Sequence, residues 1–280
     1  MGWYNLRIME FTEEEKKLQE ETCIYIQERK DELIDQFVIR KNPLKLGFIT
    51  IFMAGSPGAG KTEFSQRYIP IIFDKKDPKM IKVFDERGIN LRDVDTLFVR
   101  IDVDEIREFL PQYKKTDRAT GVKGNAHIIQ KAANKGLDIL RNYCLKNEIS
   151  FLHDGTFGNY DTMKEIIRKS LNAGRTIQIY YLYLDPIAAW EFTKAREFIE
   201  GRNIIKDKFI EQYFNSRENV NKIKAEFGDK VRINCVLKDS NNKVQDIALN
   251  VPDIDQYLKT KYNRGLIQLY SKEDLLNKIP

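Results

Sequence analysis

The amino-acid sequence predicts an α/β fold in which a mostly parallel sheet of five strands is covered by helices on both faces. Three observations support this prediction. Short apolar runs rich in β-branched residues alternate with longer segments of helical periodicity across residues 47–238. The first apolar run leads into a glycine-rich loop and then into a helix. The 280 residues, 42% hydrophobic and 32% charged, are enough for one large domain with appended segments.

The N-terminal segment, residues 1–46, is predicted to be helical. Thr12 followed by Glu15 is a capping-box pattern that begins a helix. Apolar residues then recur at helical spacing as far as Val38, and Pro43 lies beyond the end of the helix. The chain shows neither a secretory signal nor a run of about 18 apolar residues. We therefore expect a cytoplasmic protein with no membrane span.

The core, residues 47–238, is expected to alternate strands with helices. Strands are predicted at residues 47–54, 97–101, 149–153, 176–184 and 231–237. Helices are predicted at residues 60–68, 125–146, 161–173, after Pro186 and at 208–227. Residues 70–95 are charged, contain two prolines and lack a clear period, which predicts a surface insertion. The C-terminal extension, residues 239–280, is expected to contribute a strand at 244–251 and a helix at 254–261.

Charge and cysteine content argue against several classes of protein. The net charge of +5, from 47 basic and 42 acidic residues, is spread along the chain. A nucleic-acid-binding protein more often concentrates its basic residues on one stripe, so we expect no nucleic-acid partner. Cys23, Cys144 and Cys235 are odd in number and far apart. They indicate reduced thiols rather than a disulfide framework or a zinc site.

The glycine-rich loop is the strongest functional signal. Residues 55–62, GSPGAGKT, match G-x-x-x-x-G-K-[ST] at every fixed position. The glycines let backbone N–H groups point at phosphate oxygens, and the following helix adds the positive end of its dipole. Lys61 would reach the β- and γ-phosphates, and the Thr62 hydroxyl would bind Mg²⁺. The expected residues of this nucleoside triphosphate site are Gly55, Ser56, Pro57, Gly58, Ala59, Gly60, Lys61 and Thr62.

Acidic residues follow the second predicted strand, where ligands of open α/β sheets bind. This strand end contains Asp102, Asp104 and Glu105. A carboxylate here would accept the proton of an acceptor hydroxyl during phosphoryl transfer. Alternatively, Asp104 and Glu105 only begin a helix, where acidic residues are favoured. The spacing alone leaves both interpretations open.

The third predicted strand ends in His153, Asp154, Gly155 and Thr156. Asp154 would hold a metal-bound water or an acceptor hydroxyl, and Thr156 would contact the acceptor. A structural alternative is that this strand end caps the next helix. His153 lies within the apolar run, which favours a core position, and His127 lies in a predicted helix.

Taken together, these segments resemble the zeta toxin family of P-loop kinases, whose relatives include chloramphenicol phosphotransferases. The matching pieces are FTEEE, MAGSPGAGKT, RIDVDEIREFLPQY and FLHDGTF, in that order. The resemblance covers roughly residues 10–238. It implies a P-loop kinase fold and phosphorylation of the 3′-hydroxyl of UDP-N-acetylglucosamine, using ATP or GTP with Mg²⁺. It also implies a small helical antitoxin as partner.

The resemblance assigns roles to individual residues. Asp104 matches the family's general base, with Asp102 beside it on the acceptor side. Asp138, sixteen positions before Asp154, matches a helix residue that binds the sugar nucleotide. The family has Glu at both of these positions, and it has a basic residue where this chain has Gly158. These departures affect the acceptor side, so ATP binding is predicted more firmly than the acceptor.

Residues 191–208 contain five basic side chains and match the lid of such kinases. Arg202, and then Arg196, would stabilise the transferring phosphoryl group with a permanently charged guanidinium. The alternative for these charges is a solvated helix face.

Two other functions remain open from the sequence. The acceptor could be another hydroxyl, on NAD, another nucleotide or an antibiotic. A protein of a different class, a nucleotide-dependent switch with slow or absent chemistry, is opposed by the presence of Lys61, Thr62 and Asp104.

Overall fold

The computed structural model describes residues 11–45, 48–73, 78–86, 88, 96–115, 124–200 and 204–280. Within these residues one sheet contains β1 (Ile49–Ala54), β2 (Val99–Asp102), β3 (Phe151–Asp154), β4 (Thr176–Tyr183), β5 (Val231–Lys238) and β6 (Val244–Ala248). Their order is β2-β3-β1-β4-β5-β6. Strands β1 to β5 are parallel, and β6 is antiparallel to β5. The predicted parallel core is confirmed. The strand predicted in the C-terminal extension joins the same sheet, so the expected count of five was one too low.

Helices cover both faces of the sheet. The described α-helices are α1 (Glu13–Glu28), α2 (Lys30–Phe37), α3 (Lys61–Ile72), α4 (Pro78–Glu86), α5 (Val103–Phe109), α6 (Ala126–Lys146), α7 (Tyr160–Asn172), α8 (Pro186–Glu200), α9 (Lys206–Phe227), α10 (Ile254–Asn263) and α11 (Lys272–Lys278). Among these, no helix is long and apolar enough to span a bilayer.

The N-terminal segment forms two helices where the sequence predicted one. The capping box at its start is present, because the Glu15 N–H donates to Thr12 Oγ1 at 3.2 Å and the Thr12 N–H donates to Glu15 Oε2 at 2.8 Å. The helix is interrupted at Arg29, whose φ of −100° and ψ of 21° separate α1 from α2. Helix α1 packs against α6, where Gly136 lets neighbouring helices lie close: a Cβ there would meet Ile106 Cγ2 at 2.6 Å.

The predicted insertion at residues 70–95 is partly helical. Helix α3 continues past Pro70 to Ile72, four residues beyond the predicted end. The late position of Pro70 explains this, since burial of Ile69 and Phe73 offsets the one lost hydrogen-bond donor. Helix α4 begins at Pro78, a residue whose fixed φ suits a first turn. Residues 74–77, 87 and 89–95 lie outside the described residues.

Strand β1 lies at the centre of the sheet and is buried on both faces. Phe52 belongs to one core cluster, whereas Ile51 and Met53 belong to the cluster on the opposite face. This explains its uninterrupted apolar sequence, since successive side chains point to opposite faces.

Because strands β1 to β5 are parallel, they end together along one side of the sheet, here called the carboxyl edge. They begin along the opposite side, the amino edge.

Candidate active site at the carboxyl edge

The phosphate loop, residues 55–60, links β1 to α3. Gly60 is the N-cap residue of α3 and is left-handed, with φ of 68°. Gly58 has φ of 73°, and a Cβ there would lie 2.0 Å from the Ala189 carbonyl oxygen of α8. Only glycine fits at this position, because both the conformation and the contact exclude an L side chain. The loop therefore lies directly against α8.

Lys61 folds back into this loop. Its Nζ donates to the carbonyl oxygens of Gly55, at 3.0 Å, and Ser56, at 2.6 Å. Burial lowers the pKa of Lys61 to about 8, while the charge of Asp154 raises this pKa and that of Arg196 lowers it. A cation in such a desolvated place attracts phosphate more strongly than it would in water. The loop and Lys61 can thus hold the phosphates of a nucleotide.

Two strand ends bring carboxylates together beside the loop. Asp102, the last residue of β2, pairs in register with Asp154 of β3. Its Oδ1 accepts the Asp104 N–H at 2.9 Å and so caps α5. Asp104 lies in the first turn of α5 and forms an ion pair with Arg107, which also donates to Gln130 of α6. This acidic strand end therefore begins a helix, as one interpretation expected, and the role of Asp104 as a base stays a prediction.

Arg100 lies among these carboxylates. Its guanidinium is 2.9 Å from Asp154 Oδ2 and also forms ion pairs with Asp102 and Glu105. Burial raises the pKa of Asp102 to about 7, the charges of Asp154 and Asp104 add to this rise, and Arg100 opposes it. Asp102 thus has a raised pKa beside a partly buried cation, Arg100.

The residues expected to bind Mg²⁺ come from two elements: Thr62 lies in the first turn of α3, and Asp154 ends β3. The Ser65 hydroxyl is 2.9 Å from the Thr62 carbonyl oxygen and 3.2 Å from Asp154 Oδ2, so it can donate to either. No group of three or more His, Cys, Asp or Glu suited to a metal occurs within the described residues. A hydroxyl and a carboxylate fit Mg²⁺ that is bound mainly through nucleotide phosphates. Thr62 and Asp154 are therefore suitable ligands.

Thr156 and Asp138, two predicted acceptor contacts, lie in different surroundings. The Thr156 carbonyl oxygen accepts the Gly55 N–H at 3.4 Å, which places Thr156 at the border of the phosphate loop. Asp138 lies on α6 with 65% of its side chain exposed and accepts a hydrogen bond from Arg141. Its role toward an acceptor stays a prediction.

The predicted lid, residues 191–208, is helical up to Glu200 and again from Lys206. Thr193 contacts the phosphate loop, since its Oγ1 would be 2.6 Å from a Cβ at Gly58. Arg196 follows three residues later on α8, and its charge acts on Lys61. Arg202, the preferred lid arginine, lies outside the described residues.

The two histidines lie where the sequence indicated. His153 is buried and packs edge-to-face against Phe52. His127 is exposed on α6, with Nε2 3.8 Å from Glu15 Oε1. The three cysteines are buried and free, as expected.

The amino-acid sequence matches the sequence model of one protein family. This family model, described as Zeta toxin, matches residues 92–250, more than half of the sequence. The chain belongs to the zeta toxin family. The match begins after residues 55–62, so the phosphate loop is a separate signal from the family match. Conversely, the family match does not include the two most N-terminal segments on which the sequence resemblance rests.

Solved structures show the same fold as this zeta toxin family member. A structure from the PezAT chromosomal toxin–antitoxin system of Streptococcus pneumoniae is 18% identical over 96% of this chain and 94% of its own, with a TM-score of 0.54. The native AvrRxo1-ORF1:-ORF2 complex is 12% identical over 89% of this chain and 73% of its own, also with a TM-score of 0.54. No curated protein matched the chain in a search of sequences.

The sequence analysis assigned no individual role to four residues of this zeta toxin site. Arg100 and Arg107 hold the acidic residues. Lys238, at the end of β5, is buried with Nζ 3.3 Å from the Gly60 carbonyl oxygen, and Asn242 Nδ2 donates to Glu63 Oε2 at 2.8 Å. The available signal was a charged residue within an apolar strand, which applies to Arg100 and Lys238. Nothing in the sequence distinguishes Asn242 from its polar neighbours.

Proposed function

We propose that this protein is an ATP-dependent kinase that transfers the γ-phosphoryl group to a hydroxyl of a small molecule. The observation that supports this most strongly is the juxtaposition of two unlike halves at the carboxyl edge. On one side are the phosphate loop and Lys61, and on the other are Asp102, Asp104 and Asp154. A cationic phosphate site beside carboxylates is what transfer to a hydroxyl requires.

The proposed chemistry assigns one task to each residue. Lys61 binds the β- and γ-phosphates, and Arg196 neutralises charge on the transferring group. Asp104 accepts the hydroxyl proton as the acceptor oxygen forms its bond to the γ-phosphorus. The bond from phosphorus to the β–γ bridging oxygen breaks, and ADP leaves. Mg²⁺, which Thr62 and Asp154 would hold, supplies further neutralisation of the phosphates.

The proposed acceptor is the 3′-hydroxyl of UDP-N-acetylglucosamine, and the proposed biological role is that of a toxin controlled by an antitoxin. Membership of the zeta toxin family supports both, and the likeness of fold to a protein of a toxin–antitoxin system supports the toxin role. Another nucleotide is the second candidate for the acceptor. The specific observation in its favour is Asp138, which is shorter than the family's Glu and pairs with Arg141.

The acceptor can be tested with purified protein, ATP, Mg²⁺ and a panel of acceptors. The panel contains UDP-N-acetylglucosamine, NAD, nucleosides, aminoglycosides and chloramphenicol, and mass spectrometry detects a product heavier by one phosphate. We expect phospho-UDP-N-acetylglucosamine from the wild type and none from Lys61→Met. Transfer to NAD alone would replace the acceptor and keep the reaction. ATP binding without any transfer would contradict the kinase proposal and favour a nucleotide-dependent switch.

The toxin role can be tested by expression in a bacterial host. Consumption of a cell-wall precursor predicts growth arrest with the wild type and normal growth with Lys61→Met at equal protein level. Arrest by both proteins would show that toxicity does not depend on nucleotide chemistry.

A further inference from the structure

Arg100 is a charged residue between two apolar residues of β2, the strand that ends in Asp102. Its neighbours Val99 and Ile101 belong to the core cluster on one face of the sheet. Alternation along β2 therefore directs Arg100 and Asp102 to the opposite face, where Asp154 of β3 also lies. Only 16% of the Arg100 side chain is exposed, so its charge depends on partners within the protein.

Those partners come from three different elements. Arg100 Nε and Nη2 donate to Asp154 Oδ2 of β3 at 3.1 and 2.9 Å. Nη2 also donates to Asp102 at the end of β2, and Nη1 donates to Glu105 of α5. Only a planar guanidinium offers donors in enough directions to meet three carboxylates together.

These contacts hold the first turn of α5 on both sides of Asp104. Asp102, which Arg100 binds, caps the helix by accepting the Asp104 N–H. Glu105, the residue after Asp104, is bound by the same guanidinium. The backbone that carries Asp104 is therefore fixed at two adjacent points by one side chain.

The same side chain connects this turn to the phosphate loop. Asp154 Oδ2 accepts from Arg100 and lies 3.2 Å from the Ser65 hydroxyl. Ser65 is on α3, three residues after the Thr62 hydroxyl and four after Lys61. A continuous series of polar contacts thus runs from α3 through Asp154 and Arg100 to α5.

We propose that Arg100 is a positioning residue that fixes Asp104 relative to the phosphate loop. It holds the acceptor half of the site at the distance from the nucleotide half that transfer needs. This role rests on the proposed kinase function. It deepens that function by naming the group that sets the geometry between the two bound substrates.

A solely structural role makes a different prediction. A buried ion pair adds little net stability, because desolvation of the charges offsets their attraction. A structural Arg100 would change unfolding without changing turnover by folded molecules. A positioning Arg100 changes turnover more than it changes ATP binding, since an error of about 1 Å in placement costs about 10²-fold in rate.

The test compares two arginines of low exposure at opposite edges of the sheet. Arg100→Lys keeps the positive charge but lacks the planar fork, and Arg100→Met removes both. Arg175→Lys is the matched control, because Arg175 is buried at the amino edge and donates to Ile49, Thr50 and Ile149. The measurements are kcat, KM for each substrate, Kd for ATP, and the unfolding midpoint of each protein.

We expect Arg100→Lys to lower kcat by about 10²-fold with unchanged Kd for ATP, and Arg100→Met to lower kcat further. Arg175→Lys should keep wild-type kcat even where its unfolding midpoint falls. Wild-type kcat in folded Arg100→Lys would overturn the positioning role and leave the kinase proposal intact. A wild type without any transfer would overturn the kinase proposal and, with it, this role.

Discussion

Arg100 and Arg175 both have little solvent exposure, but they lie at opposite edges of the sheet with opposite kinds of partner. At the amino edge, Arg175 donates to neutral oxygens: Thr50 Oγ1 at 2.8 Å and the carbonyl oxygens of Ile49 and Ile149 at 2.9 and 2.7 Å. At the carboxyl edge, Arg100 meets three carboxylates. The pKa of Arg175 falls to about 10, because burial lowers it more than the charge of Cys144 raises it. The pKa of Arg100 rises, because its acidic partners outweigh burial.

This difference in partners indicates that the amino edge of the sheet contributes to stability and the carboxyl edge to function. Hydrogen bonds from Arg175 join the starts of β1 and β3, which contributes to folding whatever ligand is bound. The acidic groups around Arg100 repel one another, and a protein selected only for stability would not collect them in one place. We therefore expect substitutions at the carboxyl edge to reduce activity and substitutions at the amino edge to reduce stability.

A large effect on turnover and ATP binding together is expected for Lys61→Met. Loss of the cation should lower kcat by about 10²–10³-fold and weaken ATP binding, because a preorganised charge on the phosphates is lost. Removal of a desolvated ammonium should leave the unfolding midpoint equal or higher. Steady-state kinetics, ATP titration and thermal unfolding check these outcomes. Lys169→Met, at an exposed lysine of α7, is the control and should change none of them. A Lys61→Met protein that unfolds early would remove the contrast between the edges.

The opposite outcome is expected for Arg175→Met. The substitution leaves buried oxygens of Ile49, Thr50 and Ile149 without their donor, at a cost of about 3 kcal/mol in the free energy of unfolding. Turnover per folded molecule should equal that of the wild type. Urea unfolding and kinetics on the same preparation measure both quantities. Full stability together with reduced turnover would contradict the assignment of the amino edge to folding.

A smaller effect is expected at His153, next to Asp154 in sequence but on the other face of β3. Its pKa is lowered to about 3, first by burial and then by Arg141, whereas the ordinary value is 6.5. The unfolded chain therefore binds this proton first. The stabilising contribution is present above about pH 6.5 and decreases as pH falls, by about 1.4 kcal/mol between pH 7.5 and 5.5.

The measurement is urea unfolding of the wild type and His153→Gln at both pH values. His153→Gln should not show this fall in the free energy of unfolding between pH 7.5 and 5.5. The difference in the free energy of unfolding between the two proteins should therefore be smaller at pH 5.5. Equal pH dependence in both proteins would show that His153 does not remain neutral in the folded state.

The parallel core and the phosphate loop were predictable because both follow from local patterns. Strand β1 is apolar on both faces, and residues 55–62 have a fixed spacing of glycine, lysine and threonine. Element type followed from periodicity, while boundaries shifted where packing outweighed local signals, as at Pro70 and Arg29.

The long-range contacts of the site were not predictable from spacing. Arg100 meets Asp154 across 54 positions of sequence, and Lys238 meets Gly60 across 178. Only the order of strands in the sheet makes them neighbours. Asp138 shows the limit of spacing in another way. Its spacing of sixteen positions from Asp154 matches the family, but that spacing did not predict its ion pair with Arg141. Arg202 lies outside the described residues, so its predicted lid role stays a prediction.

The most direct test of the account compares phosphoryl transfer by the wild type and Asp104→Asn at saturating ATP and acceptor. The substitution keeps the size of the side chain and removes the group that accepts the proton. We expect a fall in kcat of about 10²–10⁴-fold, with unchanged ATP affinity and unfolding midpoint. Equal turnover by the two proteins would contradict the claim that the carboxyl edge of this sheet is the site of transfer to a hydroxyl.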